Sequence, residues 1–494
     1  MDEAEIQYLD ANKQVFSKLC RDLINNCYQK LVQRYLGDYF PARYPRAGID
    51  YDGYLVHGLD EFKVLEAWLS DNFPSKFQNG GIGPEIASTY IFAFVELATF
   101  KSISTGAIDH PSESEMNRTI EQFYLSLQSG TVTRKTMRFI CNVRVTTDDK
   151  IDFRRASLFN EKSEIHETHP QLFAEIPSSV KLRNDDFPFT FDGPHCWIAS
   201  KQKTQTSAAR DVDASLDEIL NRYMLALSLF SGGSAWEAFQ VQGSAEEYSA
   251  PFTNVESFLS QANQLNGKAE TVISHSDVQG VDAICDWIES AALRTDEIIV
   301  SAMGLALQKF RNAVPIKHAF ERIVDYCTVL EACLVFDSER HGFTSQLYDR
   351  CAYLLQLPDD SPKNIRKDIE LLYDLRSLLV HGANISQRKF EKLLGKVGLV
   401  ADLKSYSGQL GIQLEIAVYR LRDLARRAIL MRLAFQNSGT GTWKLGTEID
   451  LELLPERPEL VAELNNEWHE TLAIHGANKS MERVAVPKFL SLIH

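Results

Sequence analysis

The chain lacks an apolar run long enough to cross a bilayer. Its most hydrophobic stretch, YIFAFVELATF at 90–100, is short and is interrupted by Glu96, whereas a membrane-spanning helix needs about 20 consecutive apolar residues. The opening MDEAEIQYLD carries acidic residues where a secretory signal would carry positive charge. We therefore expect a cytoplasmic protein with no membrane association.

Cysteine and histidine spacings typical of a metal site are also missing. The eight cysteines are scattered and form no CxxC pair, which favours reduced structural thiols over disulfides or zinc ligands. HETH (166–169) is followed by Pro170 and has no evident third ligand. In WHETLAIH (468–475) the histidines are too far apart for the zinc-protease helix. The sequence predicts neither a metal nor a cofactor.

A general excess of positive charge, the usual mark of a nucleic-acid-binding surface, is absent as well. The 494-residue chain has a net charge of −15. Residues 1–300 carry 27 basic and 43 acidic side chains, whereas residues 301–432 carry 20 basic and 15 acidic ones. Only the second segment is basic.

The 44% of apolar residues suffices for several domains. Strand-like runs at 137–145 and 150–159 predict a β-hairpin, and helical periodicity dominates from about 301 to 435. We predict an α+β multidomain protein in which a mixed α/β N-terminal region precedes an all-α helical bundle. The predicted parts are an acidic region over 1–300, the bundle over 301–435 and a C-terminal extension over 436–494.

The stretch YDLRSLLVHGAN (373–384) places an arginine on the apolar side of a predicted helix. Arg376 falls in the middle of the arc formed by such residues as Ile369 and Leu372. Because a guanidinium stays charged, this position requires a carboxylate, a bound anion or an interface with a wet cleft. Glu331, at the edge of the apolar stripe of a helix predicted over 322–336, is the expected intramolecular partner.

His381 would lie about 140° from Arg376 on a continuous helix. Two arrangements can still bring the side chains to one ligand. Gly382 suggests that the helix ends there, which frees the imidazole to turn. Alternatively, two copies of the helix meet across a two-fold axis and share a cleft.

These residues resemble a known family. Arg376, a small polar residue, three apolar residues and His381 fit the R-x4–6-H signature of HEPN domains. The longer pattern resembles the Apea-like HEPN branch over about 308–435. Its elements are VLEACLVF (329–336), YDRCAYLL (348–355) and LLYDLRSLLVHGAN (371–384).

The resemblance implies a dimeric helical bundle that, in active members, cleaves RNA without metal. Arg376 and His381 would form the composite catalytic site, with Ser377 as the polar residue beside the arginine. We expect an endoribonuclease acting as a toxin or anti-phage effector, with residues 1–300 as the sensor for a phage-derived trigger or an inhibitory partner. The alternative is a non-catalytic HEPN module that binds a nucleotide or protein partner and dimerises.

Other candidates carry two interpretations each. Tyr373 either stacks on a base or is structural, and Asn384 either contacts phosphate or occupies a turn. Arg350 either forms a structural ion pair or contacts substrate. A basic cluster near the end of the bundle is expected to be a solvated face rather than an RNA track. Its members are Arg420, Arg422, Arg426, Arg427 and Arg432. HGAN occurs at 381–384 and again at 475–478, a repeat that coincidence would explain.

Overall fold

The computed structural model describes fourteen segments and a few isolated positions between them, and it is mostly helical with a small sheet. The segments are 3–37, 58–77, 112–129, 131–146, 150–159, 195–205, 209–233, 235–244, 271–292, 301–313, 318–335, 343–380, 410–438 and 456–483. The described part of the chain contains no helix that is both long and apolar enough to cross a membrane.

The N-terminal helices bury a core of their own, rich in aromatic rings. They are α1 (Glu3–Ala11), α2 (Lys13–Gly37), α3 (Asp60–Asn72), α4 (Pro74–Phe77) and α5 (Glu113–Ser129). The sequence predicts one helix over 2–37, but the helix is interrupted at Asn12. The Asn12 amide donates to the carbonyl of Tyr8 at 2.9 Å, which satisfies a carbonyl at the end of α1.

A five-stranded antiparallel sheet follows, in the order β3-β4-β5-β1-β6, and β2 pairs separately in parallel with β7. The strands are β1 (Thr131–Cys141), β2 (Val143–Val145), β3 (Ile151–Asp152), β4 (Ser157–Phe159), β5 (His195–Gln205), β6 (Trp236–Ser244) and β7 (Thr271–Ile273). Helix α6 (Ala209–Ser231) connects β5 to β6 and packs on the sheet.

The predicted hairpin between 137–145 and 150–159 is wrong in its pairing. Strand β1 pairs along its whole length with β5, from Thr131 opposite Gln205 to Cys141 opposite His195, and also pairs with β6. Asn142 takes a positive φ of 61°, and the chain then leaves the main sheet. Alternating apolar residues indicate that a segment is a strand, but its partner depends on contacts distant in sequence.

The part of the chain described after the sheet strands is mainly helical. Its α-helices are named in chain order. They are α7 (Val278–Ala292), α8 (Ala302–Ala313), α9 (Ala319–Leu334), α10 (Phe343–Leu354), α11 (Pro362–Val380), α12 (Leu410–Asn437) and α13 (Pro458–Ile474). The described residues of 301–435 are helical apart from short connections, as predicted. Helix α12 is buried on nearly every side and packs on α7, α8, α9 and α13.

One hydrophobic core contains residues from both sides of position 300. It extends from Ile140 on β1 to Ala477 beyond α13, and includes the sheet, α6, α7 and the later helices. The distribution of buried residues therefore does not indicate a domain boundary at residue 300 or 435. The functional division into sensor, bundle and extension stays a prediction.

The second HGAN copy has a physical explanation. Helix α13 ends at Ile474, Gly476 has a φ of 76°, and two backbone hydrogen bonds close the helix end. Ala477 N–H donates to Leu472 at 2.8 Å and Gly476 N–H to Ala473 at 3.0 Å, the pattern of a Schellman cap. The first copy, at 381–384, lies outside the described residues.

Candidate functional site on helix α11

Helix α11 buries one face, and Arg376 lies at the edge of the buried surface. Ile365, Ile369, Leu372 and Leu375 are fully or almost fully buried, as the periodicity predicts. The Arg376 side chain is 30% exposed. Its guanidinium is therefore partly withdrawn from water but still reachable from outside.

The predicted contact between Arg376 and Glu331 is confirmed, and it is loose. Arg376 Nη2 lies 3.7 Å from Glu331 Oε1, and the Glu331 side chain is 27% exposed. This distance is too long for a hydrogen bond. Arg376 Nε is buried and has no hydrogen-bond partner among the described residues. The arginine has thus kept donor capacity that its protein neighbours do not use.

Tyr373 contacts Glu331 through its hydroxyl group. Its hydroxyl lies 3.3 Å from Glu331 Oε1 and 3.2 Å from the carbonyl of Cys327, and it can donate to either. Burial, followed by the nearby Cys327 and Glu331, raises the pKa of Tyr373 well above its ordinary value, so the phenol keeps its proton. The ring is 5% exposed and packs edge to face on Tyr348. This favours the structural interpretation of Tyr373 over base stacking.

The remaining candidates divide between core, surface and undescribed positions. Arg350 is almost fully buried, and its Nη1 donates to the carbonyl of Leu334 at 2.6 Å, at the end of α9. It satisfies a helix terminus, which favours the structural interpretation. Ser377 is exposed beside Arg376. His381 and Asn384 lie outside the described residues.

The basic cluster on α12 is not a solvated face, and that expectation is wrong. Four of the five arginines are almost completely buried, and Arg432 is partly buried. Arg420 donates to Asp360 at 2.6 Å and to Asp368 at 2.8 Å, and Arg427 donates to the same Asp360 at 2.7 Å. The cluster is an internal network, so an RNA track on these side chains is excluded too.

The other arginines of α12 bind main-chain carbonyls. Arg426 donates to the carbonyls of Leu229, Ser480 and Glu482 at 2.6–3.0 Å. Arg422 donates to the carbonyl of Gly233. These contacts connect α12 to the end of α6 and to the segment beyond α13.

The neighbouring arginines lower the pKa values of their buried acidic partners on and near α12. Burial alone would raise the pKa of Asp360, but the hydrogen bonds and charges of Arg420 and Arg427 outweigh it and hold that pKa below its usual range. Asp423, on α12 itself, behaves in the same way beside Arg427 and Arg426. Its spacing from both arginines was the sequence signal for an internal network.

The arrangement on α11 is suited to binding an oxyanion. The guanidinium is partly exposed, and its terminal N–H groups can donate to a phosphate. Glu331 is near enough to orient the arginine and too far to occupy its donors. Among the described residues, no group of three or more His, Cys, Asp or Glu side chains is placed to hold a metal ion.

No family model, curated protein or solved structure matches this chain.

Proposed function

We propose that the protein is a metal-independent endoribonuclease of the HEPN type, acting as a toxin or anti-phage effector. The observation that carries the proposal is the state of Arg376. It lies at the apolar face of α11, 30% exposed, with only a 3.7 Å ion pair to Glu331. The buried Arg420 and Arg427 of α12, in contrast, donate several short hydrogen bonds to protein groups.

The proposed reaction is attack of a ribose 2′-hydroxyl on the adjacent phosphorus. The 2′-oxygen forms a bond to phosphorus as the bond to the 5′-oxygen breaks, which leaves a 2′,3′-cyclic phosphate and a 5′-hydroxyl. His381 exchanges protons with these oxygens, because imidazole titrates near neutral pH. Arg376 stabilises the added negative charge on the phosphoryl oxygens.

The proposal includes a second copy of the chain. On one straight helix Arg376 and His381 would point about 140° apart, so a shared two-fold cleft is the simplest way to bring both to one phosphate. Dimerisation would then be a condition of activity. Control would come from residues 1–300, through a phage-derived trigger or an inhibitory partner.

Residues before and after position 300 share one hydrophobic core, and this determines which form of the protein should be used to study the control of activity. Removing residues 1–300 would expose apolar surface of the later helices, which bury against the sheet, α6 and α7. Any change in activity of such a fragment would be confounded with misfolding. The full-length chain is therefore the right material.

The test is cleavage of total RNA and tRNA by the purified full-length protein in EDTA. Arg376→Ala and His381→Ala are compared with the wild type. Lys367→Ala is the matched control, since Lys367 is exposed on the same helix. We expect wild type and control to cleave, leaving cyclic-phosphate or phosphate 3′ ends, and each site variant to lose at least about 10²-fold in rate.

Two outcomes would reject the catalytic assignment. Equal cleavage by all four proteins would place the active site elsewhere. Binding of RNA or a nucleotide by the wild type, weakened in Arg376→Ala but without cleavage, would favour the non-catalytic HEPN module. That alternative rests on the same free donor of Arg376, which can hold a phosphate without chemistry.

A further inference from the structure

A small pocket lined by apolar, polar and charged side chains lies between the sheet, α6 and the C-terminal end of α8. Its volume is about 200 Å³. It is lined by Arg138, Asn221, Met224, Leu225, Ser228, Ala235, Glu237, Phe310, Arg311 and Asn312. None of these residues belongs to the candidate site on α11.

Arg138 forms the rigid end of this pocket. It projects from β1 and is 3% exposed, with ion pairs to Asp217 on α6 and, at 2.9 Å, to Glu237 on β6. Asn221 also accepts a hydrogen bond from it at 2.8 Å. Its Nε has no partner among the described residues. Arg138 is therefore occupied by protein partners, and it fixes the position of Glu237 at the pocket.

Glu237 gives the pocket a carboxylate. Its side chain is partly exposed, so a ligand can approach it although one oxygen already faces Arg138. Burial raises the pKa of Glu237, and the charges of Arg138 and Arg311 oppose that rise. A cationic ligand group beside the Glu237 carboxylate would stabilise the charged form of that carboxylate and so offset the cost of its burial.

Arg311 adds a second cation to the lining of the pocket. It is exposed in the last turn of α8, and it makes no hydrogen bond or ion pair within the described segments. Asn312 follows it at the pocket wall. A guanidinium and an amide together can donate to both oxygens of a ligand carboxylate.

Several apolar side chains complete the lining of the pocket. Met224 and Leu225 come from α6, Ala235 precedes β6, and Phe310 comes from α8. Drug-sized ligands occupy pockets of about 300–1,000 Å³, so a cavity of about 200 Å³ suits a smaller molecule and is too small for a nucleotide.

We infer that this pocket binds a free α-amino acid with a short apolar side chain. Its ammonium group pairs with Glu237, its carboxylate with Arg311 and Asn312, and its side chain packs on Phe310, Met224 and Leu225. Such a ligand would connect the sheet to α8, the first helix of the predicted bundle. The inference concerns binding alone and does not depend on the proposed ribonuclease activity.

The test is calorimetric titration of the full-length chain with the twenty standard amino acids. We expect at least one apolar amino acid to bind with a stoichiometry of one per chain. For leucine, the analogues 4-methylpentanoate and 3-methylbutylamine each lack one charged group, and each should bind at least tenfold more weakly. Binding of 4-methylpentanoate as tight as that of leucine would overturn the assignment of an amino acid.

Variants locate the site. Arg311→Ala removes an exposed side chain without described partners, so it should fold normally and lose at least tenfold in affinity. Glu237→Gln should weaken leucine more than 4-methylpentanoate, because only leucine carries the ammonium group. Lys203→Ala, at an exposed position on β5, is the charge-matched control and should bind as the wild type does. The absence of binding by every amino acid, or unchanged affinity in Arg311→Ala, would reject the inference.

Discussion

Helices α11 and α12 both carry arginines among apolar residues, yet the two environments differ. On α12, Arg420 and Arg427 are fully buried and share Asp360 at 2.6 and 2.7 Å. On α11, Arg376 is 30% exposed, and its one described carboxylate partner lies 3.7 Å away. The arginines of α12 are held by short contacts in the interior, whereas Arg376 is partly exposed and has one long contact to a carboxylate among the described residues.

This difference separates two reasons for placing an arginine on an apolar face. A buried guanidinium with several short partners fixes the packing of neighbouring elements, and losing a partner leaves an uncompensated charge. A partly exposed guanidinium with a distant partner contributes little to stability, so a stabilising ion pair does not explain its position. For Arg376 the explanation that we propose is the binding of a phosphate.

The largest predicted effect on stability is that of Asp360→Ala. Removing this carboxylate takes a shared buried partner from Arg420 and Arg427, which keep only Asp368 and Asp423 respectively, at a cost of about 3–5 kcal/mol. Chemical denaturation followed by circular dichroism measures the change. Asp359→Ala, at the exposed neighbouring position, should stay within about 0.5 kcal/mol of the wild type. Equal effects of the two substitutions would mean that the network on α12 has no structural importance.

Tyr373→Phe should have an intermediate effect. It removes the hydroxyl that contacts Glu331 and Cys327, at a cost of about 1 kcal/mol near neutral pH. Because the folded protein raises the pKa of Tyr373 above its ordinary value of 10.0, the unfolded chain loses this proton first as pH rises. The phenol therefore opposes folding above pH 10.

The pH dependence of that variant is a second measurement. The stability deficit of Tyr373→Phe relative to the wild type should shrink as the pH is raised through 10. A deficit that stays constant from pH 7 to 11 would contradict the raised pKa.

Arg376→Ala should cost less than about 1 kcal/mol, because its ion pair with Glu331 is long and partly exposed. Glu331 keeps its contact with the Tyr373 hydroxyl in this variant. Thermal and urea unfolding of Arg376→Ala and of Asp360→Ala, measured side by side, give the two changes in the free energy of unfolding to be compared. A loss of 3 kcal/mol or more would place Arg376 among the structural arginines and remove the contrast between the two helices.

Ser377→Ala should have the smallest effect on stability. Ser377 is exposed on α11, and surface substitutions of this kind usually change stability by less than about 0.5 kcal/mol. Any reduction in RNA cleavage would then report the proposed support of the catalytic arginine. A measurable destabilisation would show that this position has a packing role.

The sequence predicted the features that depend on local periodicity. The helices around Glu331 and Arg376, and the contact between these residues, follow from which face of each helix is apolar. Strand pairing was predicted wrongly, because β1 pairs with β5 and β6 rather than with the next segment along the chain. Pairing is set by contacts that no local pattern encodes.

The burial of α12 could not be predicted from local sequence patterns either. Its arginines resemble a solvated basic face until the acidic partners at Asp360 and Asp368 are known, and those residues come from other segments. Asp423 was the one partner within reach of a sequence pattern. At the candidate site, periodicity indicated the partner of Arg376 but not the role of Tyr373 in holding that partner.

The most direct test of the account is a paired measurement on Arg376→Ala. RNA cleavage in EDTA and the free energy of unfolding are determined on the same full-length preparation, beside wild type and Lys367→Ala. The account predicts a loss in cleavage rate of at least about 10²-fold with a stability change below about 1 kcal/mol. Wild-type cleavage by a stable Arg376→Ala protein would contradict it.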